Sequence, residues 1–299
     1  MTATLLMKAS SLTLAHYRSR EVFDLKVYQI TPIYEFRLPV VADAIKPELF
    51  EEKRLSEVLN VEVYEGSRRK RFGELFKVKE AGEAEETTLE LIGDFSKVKR
   101  VGRRMSRGVI RVKGAAGIAF GEAMKGGRIV VEGLAGPWLG VKMKGGSIEV
   151  YGDAGDFLGG AYRGEDVGMR GGSMVVHGRA GWNVGYRMKN GLIIVEGDVG
   201  GFPGVHMSGG TIYVKGGCGK GAGAFMKNGR IVVLGYVPSI LASFSFEEIR
   251  PSIRVESERL KGRFYMFIGD LSEKGSGRLF INADSNKHLS FYEQLIEEL

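Results

Sequence analysis

Residues 121–155 read GEAMKGGRIVVEGLAGPWLGVKMKGGSIEVYGDAG, and this stretch contains the same pattern twice, 19 residues apart. Each copy has a glycine, a methionine three residues later, a second glycine three residues after that, and then an apolar pair with one residue between its members. In the first copy these residues are Gly121, Met124, Gly127, Ile129 and Val131. A fixed period of this kind indicates a repeat architecture, in which short units stack because none can bury its apolar face alone.

The same pattern extends along the chain in both directions. Seven of the eleven methionines occupy the equivalent position: Met105, Met124, Met143, Met169, Met188, Met207 and Met226. The apolar residues after each methionine alternate with period two, which is typical of a strand and does not fit a helix. The sequence therefore predicts an all-β fold, a right-handed parallel β-helix of about seven 19-residue coils with the methionines inside.

Glycine supports this prediction, because 38 of the 45 glycines lie between Gly93 and Gly235. A pair such as Gly145-Gly146 or Asn190-Gly191 precedes each strand. Glycine and asparagine tolerate a positive φ, so each pair predicts a tight corner between one side of a coil and the next.

The strand residues between the apolar ones should point outwards. In the last four coils the middle outward residue is apolar or aromatic: Val175, Ile194, Tyr213 and Val232. A face that meets only water should be more polar, so we expect the chain's own termini or a partner subunit to cover these four residues. Ordinary β-propensity is the alternative explanation.

The segments outside the repeat suit the ends of such a stack, where unpaired strand edges need caps. We expect a small α+β cap at each end. The predicted division is an N-terminal extension at 1–38, an N-terminal cap at 39–92, the repeat domain at 93–235, and a C-terminal cap and tail at 236–299. Residues 290–299 suit a short helix.

One repeat is interrupted. Seven residues are inserted between Gly159 and Met169, and this region carries Tyr162, Arg163, Glu165 and Asp166. Loops on repeat proteins concentrate function on one face, which makes these four residues candidates for a subunit interface. A tolerated surface loop is the alternative.

No catalytic, cofactor-binding or metal-binding residue is predicted on this chain. Outward acids such as Glu149 and Glu196 are scattered instead of paired, and His177 and His206 suit surface or interface positions. Cys218 has no obvious base near it in the sequence, and the Gly216–Gly221 run is in register with the repeat instead of opening a helix.

Composition limits the partners and the compartment. The net charge of +7 fits an anionic partner or a mixed charged surface. The basic run Arg68–Arg71 is short and no nucleic-acid reading module accompanies it, so no nucleic-acid partner is predicted. A single cysteine fits a reducing compartment. With no signal-peptide pattern and no long apolar run, we expect a cytoplasmic protein without a membrane partner.

The coil pattern Met-x-Gly-Gly-x-Ile-x-Val-x-Gly resembles a domain shared by the C-terminal part of the glutamate synthase large subunit and the C subunit of formylmethanofuran dehydrogenase. The second family is the more similar. Its motifs outside the regular repeat match Ile45–Phe50, Phe72–Val78, Gly152–Asp156, Tyr162-Arg163-Gly164 with Gly168-Met169, and Gly262–Tyr265. The resemblance covers roughly residues 39–282, and the role of residues 1–38 is left open.

This resemblance implies a structural or scaffold subunit of a cytoplasmic hetero-oligomer. Such a complex reduces CO2 and condenses the product with methanofuran to formylmethanofuran, reversibly. The resemblance also implies that the cofactors lie on partners: a tungsten or molybdenum pterin with iron–sulfur clusters on one subunit, and a dinuclear metal site on a metallohydrolase-type subunit. The alternatives are a related subunit of a bacterial formyltransferase/hydrolase complex and a stand-alone β-helix binding module.

Overall fold

The structure is a computed structural model that describes residues 25–294. Most of the predicted extension at 1–38 and the end of the predicted C-terminal helix therefore lie outside the described residues. The described chain is built mainly of strands with few and short helices, and most strands belong to one large sheet. The all-β prediction is confirmed. Within residues 25–294, no helix has the length and apolar character needed to cross a membrane.

The N-terminal part contains three short helices and seven strands. In chain order they are β1 (Lys26–Pro32), β2 (Val40–Val41), α1 (Pro47–Glu52), α2 (Leu55–Leu59), β3 (Glu62–Glu65), β4 (Arg68–Arg71), α3 (Phe72–Leu75), β5 (Phe76–Glu83), β6 (Thr88–Ile92) and β7 (Val98–Lys99). Local sequence sets the helix starts. Pro47 occupies the first position of α1, where a missing N–H costs nothing, and the Glu57 carboxylate of α2 accepts a bond from the Arg54 N–H at 2.9 Å.

Each repeat contributes one strand to the large sheet. These strands are β8 (Val109–Lys113), β9 (Arg128–Val131), β10 (Ser147–Val150), β11 (Arg170–Val176), β12 (Asn190–Val195), β13 (Ser208–Val214) and β14 (Asn228–Val233). Each pairs in parallel with the strand of the preceding repeat, and equivalent residues are partners, as Ile129 is with Ile148. Strand β6 pairs with β8 in the same way, so residues 88–92 act as an additional, irregular repeat.

A second line of parallel pairing lies at the corner after the strands. Single bridges join successive repeats at one position: Phe95, Ala116, Ala135, Ala154, Ala180, Val199 and Cys218. All seven side chains are buried. Neighbouring repeats are therefore hydrogen-bonded on two sides.

The interior matches the predicted inward columns. All seven repeat methionines are fully buried, as are strand residues such as Ile193 and Val195. Methionine suits this position because its unbranched thioether fills irregular space.

The glycine corners have the predicted backbone conformation. Gly146 has φ of +85°, and a methyl carbon added to it would lie 2.6 Å from the Gly127 carbonyl oxygen of the preceding repeat. Both the left-handed conformation and the close approach of the repeats require glycine here.

The C-terminal part closes one end of the sheet. It consists of β15 (Ser245–Val255), β16 (Glu258–Gly269), a 3₁₀ helix (Leu271–Glu273), β17 (Gly277–Asn282) and a second 3₁₀ helix (Lys287–Glu293). Strand β17 pairs in parallel with β14, and β16 and then β15 follow in antiparallel order. At the other end β1 lies between β6 and β5. Strand β1, which falls within the predicted extension at 1–38, pairs with the free edge of β6.

The hairpin of β15 and β16, here called the C-terminal hairpin, also covers part of the outward face of the sheet. Its residues Ile253, Val255 and Phe264 pack with Tyr213 and Val232, both of which are buried. For these two residues, the chain's own C-terminal segment supplies the cover expected from the sequence. Burial raises the pKa of Tyr213 to about 12.

Candidate subunit interface

The insertion, residues 160–168, leaves and re-enters the stack at a single point. The Met169 N–H donates to the Gly159 carbonyl oxygen at 2.9 Å, so the two ends of the loop are hydrogen-bonded to each other. Met169 then takes its place in the methionine column. The strands on either side of the insertion therefore still pair, and while Ala161 is buried, residues 163–167 are exposed or half-buried on the surface.

Tyr162 fixes the insertion to the body of the chain. Its hydroxyl donates to Glu122 Oε2 at 3.0 Å. The Glu122 side chain is only 6% exposed. It also forms salt bridges with Arg100 Nε and Arg103 Nε, each at 3.2 Å. Burial, and then the Glu122 charge, raise the pKa of Tyr162 well above its usual range. Arg103 also forms a salt bridge with Asp43 at 2.7 Å, and this chain of contacts connects the insertion to the N-terminal cap.

The charged residues of the insertion differ in their contacts. Glu165 Oε1 accepts a bond from Lys142 Nζ at 2.7 Å. Asp166 lies 3.2 Å from an Arg187 guanidinium nitrogen, and its side chain is 95% exposed. Arg163 is exposed and forms no ion pair with any residue in 25–294. The insertion thus presents an accessible guanidinium and an accessible carboxylate on a fixed loop.

A continuous row of rings crosses the same side of the molecule. Trp138 stacks on Phe157 with centroids 5.1 Å apart, and Tyr162 lies 6.2 Å from Trp138. The row, here called the aromatic strip, consists of Trp138, Phe157, Tyr162, Tyr186, His206 and Phe225. At its far end His206 stacks on Phe225, whose side chain is 46% exposed. Aromatic residues with accessible faces are enriched in protein interfaces.

Two polar atoms beside this strip lack a partner. Trp138 Nε1 and Glu165 Oε2 are shielded from solvent, and neither makes a hydrogen bond within residues 25–294. Most buried polar groups in folded proteins are hydrogen-bonded. Asp43 Oδ1 and Glu48 Oε2, in the N-terminal part, are in the same condition, so these atoms do not by themselves mark a contact surface.

The other predicted interface residues lie on a different side, on the outward face of the sheet. Val175 and Ile194 are half-buried there, and Ile194 touches the cluster under the C-terminal hairpin. Tyr213 and Val232 have no open surface. The structure therefore brings Tyr162, Arg163, Glu165 and Asp166 together, and separates them from the four apolar candidates.

Groups with possible chemistry are held in structural roles. Cys218 belongs to the inward corner column, and burial raises the pKa of its thiol to about 12, so the thiol is protonated at neutral pH. His206 lies in the aromatic strip, where burial and then the Arg187 charge lower its pKa. No group of three or more His, Cys, Asp or Glu side chains in residues 25–294 is arranged to hold a metal ion.

Sequence reasoning missed Glu122 and most of the aromatic strip. Trp138 and Phe157 are 19 residues apart, as are His206 and Phe225, so their equivalence was visible in the repeat. Tyr186, which connects the two pairs, occupies a different position of its repeat. Only the three-dimensional arrangement shows that the rings form one row.

Comparison with known proteins gives several similar chains. No family model matches. The chain is 56% identical over 259 residues to the C subunit of tungsten-containing formylmethanofuran dehydrogenase 2 of Methanococcus maripaludis, covering 84% of this chain and 95% of the relative. It is 54% identical over 263 residues to the C subunit of the tungsten-containing enzyme of Methanothermobacter thermautotrophicus, covering 87% and 97%.

Two further similarities differ in extent. The C subunit of molybdenum-containing formylmethanofuran dehydrogenase 1 of Methanothermobacter thermautotrophicus is 41% identical over 94 residues, which is 31% of this chain and 23% of that relative. The match thus spans less than a quarter of the molybdenum-type chain. Among solved structures, a chain of the formyltransferase/hydrolase complex of Methylorubrum extorquens, crystallised with methylofuran, matches with a TM-score of 0.74 and 28% identity, covering 85% of this chain and 99% of the other.

Proposed function

The chain belongs to the family of formylmethanofuran dehydrogenase C subunits, and from that premise we propose that it is a structural subunit of such a complex. The complex would reduce CO2 and condense the product with methanofuran, or run in reverse. The observation that carries a structural role is the insertion, a loop anchored at Tyr162 by a nearly buried carboxylate and presenting charges to the outside. A loop of this kind suits recognition of a neighbouring subunit.

The proposed partners hold the cofactors. One would be a subunit with a tungsten or molybdenum pterin and iron–sulfur clusters, and the other a metallohydrolase-type subunit with a dinuclear metal site. The names of the relatives include tungsten and molybdenum, and the similar solved chain belongs to a multi-subunit complex. Both facts support a hetero-oligomer in which this chain connects catalytic subunits.

The proposed interface combines the insertion with the aromatic strip. Arg163 supplies an exposed guanidinium, Asp166 supplies an exposed carboxylate, and the strip supplies the exposed rings of His206 and Phe225. Buried aromatic and arginine anchors carry much of the binding energy in protein interfaces. Val175 and Ile194 stay proposed as a second, smaller contact, whereas Tyr213 and Val232 are left out because the chain covers them.

We further propose that the repeats wind as a right-handed parallel β-helix at 93–235, with caps on both sides. Parallel pairing of equivalent residues in successive repeats supports the winding, as does the second line of bridges through Ala135 and Ala154. The right hand is the usual one for a crossover between parallel strands.

The test of the scaffold role is affinity purification of the full-length chain from its native cells, with mass spectrometry and elemental analysis. We expect a metallohydrolase-type subunit, a pterin and iron–sulfur subunit, and tungsten or molybdenum. A chain that purifies alone, folded and active, would overturn the proposal.

The test of the interface is the double variant Tyr162→Ala with Arg163→Ala, measured by the yield of co-purifying subunits. We expect a loss of assembly with little change in the thermal midpoint of the isolated chain. The matched control is Arg179→Ala with Tyr236→Ala, which removes an exposed arginine and an exposed tyrosine from the corner after the strands. If both double variants assembled equally well, the insertion would be a tolerated surface loop without a role in assembly.

A second candidate is a subunit of a formyltransferase/hydrolase complex, favoured by the TM-score of 0.74 over 99% of the similar chain. The same purification separates the two candidates. A co-purifying formyltransferase without tungsten or molybdenum would favour the second.

A further inference from the structure

A groove of about 670 Å³ lies on the outward face of the sheet and extends from β11, the strand that follows the insertion, to β17. One wall is the line of first outward residues of successive strands, and the other is the tip of the C-terminal hairpin at Glu256. The lining residues with polar side chains are Ser173, Asn190, Thr211, Asn228, Arg230, Glu256, Ser276 and Arg278. Its volume is in the range of sites for small ligands.

Two arginines stand side by side in this groove. Arg230 of β14 and Arg278 of β17 are register partners in neighbouring parallel strands, so their side chains leave the same face about 4.8 Å apart. Like charges placed directly opposite one another in a sheet are destabilising. Their juxtaposition therefore calls for a counter-charge.

The chain does not supply that counter-charge within residues 25–294. Arg230 donates to the Arg254 carbonyl oxygen and lies 5.9 Å from the Phe280 ring centroid, contacts that hold the guanidinium without neutralising it. Arg278 is exposed and makes no ion pair with another described residue. Glu256 is the one carboxylate among the described residues that line the groove, and it belongs to the opposite wall.

The rest of the lining provides hydrogen-bond donors. Ser173, Thr211 and Ser276 contribute hydroxyl groups. The Asn228 carbonyl oxygen Oδ1 accepts the Gly229 N–H at 2.7 Å, which leaves the Asn228 amide hydrogens for other acceptors. Donors beside paired guanidinium groups suit an oxyanion, because the planar fork of arginine matches carboxylate and phosphate oxygens.

We propose that this groove binds a small, multiply charged oxyanion, a polycarboxylate or a phosphate compound, with its charged group between Arg230 and Arg278. The remainder of the ligand would lie along the hydroxyl and amide groups of the preceding repeats. This site is separate from the insertion and the aromatic strip, although Ser173 and Leu192 in its lining neighbour the second proposed contact at Val175 and Ile194, and it does not depend on the scaffold role.

The test is isothermal titration calorimetry on the full-length chain, in the assembly in which it purifies, at fixed ionic strength. Citrate and inorganic pyrophosphate serve as separate probes, and the tighter of the two identifies the preferred oxyanion. We expect saturable binding that Arg278→Gln weakens by about tenfold or more, as loss of a charge-assisted hydrogen bond predicts. Arg278→Lys should weaken binding less, because it keeps the charge.

Arg128→Gln is the matched control. Arg128 is the first residue of β9 and register partner of Ser147 in the same outward line, but it pairs with Glu149 at 2.6 Å and lies outside the groove. The Arg128→Gln substitution removes the same charge as Arg278→Gln, but it should change the dissociation constants of the probes by less than about twofold. Equal weakening in Arg128→Gln and Arg278→Gln would reduce the effect to general electrostatic attraction, and undiminished binding in Arg278→Gln would also overturn the proposal.

A partner's acidic segment is the competing occupant. If Arg278→Gln lost co-purifying subunits while neither probe bound the wild type, the groove would be a protein contact and the small-ligand proposal would be wrong. Assembly is measured separately from calorimetry, so failure of this site and failure of the scaffold role give different results.

Discussion

At the scale of single residues, the repeat methionines set the interior of the molecule. Met188 is fully buried, and its terminal methyl carbon lies close enough to Gly210 that a methyl carbon added there would be 2.7 Å away. Such close packing means that shortening the side chain leaves a cavity that the stacked repeats above and below cannot easily fill.

We expect Met188→Ala to lower the free energy of unfolding by about 2–5 kcal/mol, as for other buried large-to-small changes. Chemical denaturation of the variant and the wild type measures this difference. The neighbouring Lys189 is exposed, and Lys189→Ala should stay within about 0.5 kcal/mol. Unchanged stability of Met188→Ala would mean that this side chain does not contribute to the core.

Alanine substitutions at two glycines distinguish the free-energy cost of a left-handed backbone conformation from the cost of overpacking. Gly146 and Gly164 have nearly the same φ, +85° and +83°, but an added methyl carbon meets nothing within 4 Å at Gly164 and lies 2.6 Å from the Gly127 carbonyl oxygen at Gly146. Alanine should cost about 1–2 kcal/mol at both positions from the left-handed conformation. At Gly146 we expect about 1–3 kcal/mol more from overpacking. Equal losses of unfolding free energy would show that the repeats can separate locally at little cost.

The positions of Met188 and Gly146 were predictable because each recurs seven times. A methionine or glycine in register leaves a signal in the sequence, and its physical role follows from the stacking. Glu122 leaves no such signal: its importance comes from Arg100, Arg103 and Tyr162, which reach it from different repeats and from the insertion. A single carboxylate cannot be assigned this role from its neighbours in the chain.

At the scale of elements, the outward face of the strands carries a ladder of alternating charge. Along it, Arg128 pairs with Glu149, His177 lies between Glu149 at 3.3 Å and Glu196 at 2.9 Å, and Lys215 pairs with Glu196 at 2.7 Å. The hydrogen bond to Glu196, and then that to Glu149, raise the pKa of His177. Hydrogen bonds to Arg128 and Lys215 respectively, and then to His177, lower the pKa of Glu149 and Glu196.

The ladder makes stability depend on pH. Because the folded His177 has a pKa above its unfolded value of about 6.5, its contribution is fully present below that pH and is lost as the pH rises through the folded pKa. The two glutamates act in the opposite sense, since their contribution is lost as the pH falls through their lowered pKa values. The ladder is therefore strongest between these two limits.

We expect the thermal midpoint of the wild type to fall relative to that of His177→Gln as the pH rises from about 6 to about 9. The glutamine keeps a polar side chain but cannot titrate. Parallel curves for the two proteins across this range would show that the imidazole gains nothing from its carboxylate neighbours.

The C-terminal hairpin shows where prediction from sequence ended at this scale. A cap in this part of the chain could be predicted, and so could the apolar outward residues that need cover. The pairing of β17 with β14 could not be recognised, because it joins residues nearly fifty positions apart that share no repeat pattern. The adjacency of Arg230 and Arg278 depends on that pairing, so the groove was invisible in the sequence.

At the scale of the whole molecule, parallel pairing of equivalent residues makes the repeats interchangeable. Strands of successive repeats pair in parallel in chain order, and β1, whose residues 26–32 lack the repeat signature, pairs with the edge of β6. Deletion of one full repeat should leave every remaining strand in its register, whereas a coil one residue short cannot keep its inward residues inside.

We expect deletion of residues 204–222, one 19-residue repeat, to give a folded chain with a lower thermal midpoint. Deletion of residues 204–223 removes one residue more and should prevent cooperative folding. Circular dichroism melts and limited proteolysis compare the two. A 20-residue deletion as stable as the 19-residue one would contradict a fixed repeat length.

Because neighbouring repeats are hydrogen-bonded on two sides, the distance between two features along the molecule is fixed by the number of repeats between them. Each repeat advances by about 4.8 Å, so the step from β11, behind the insertion, to β17, at the arginine pair, is about 19 Å over four strands. The distance between these two strands can change only by whole inter-strand spacings. A partner that contacts both the insertion and the arginine pair must match one fixed separation. Gaining or losing one repeat would change that separation, so the partner could no longer contact both.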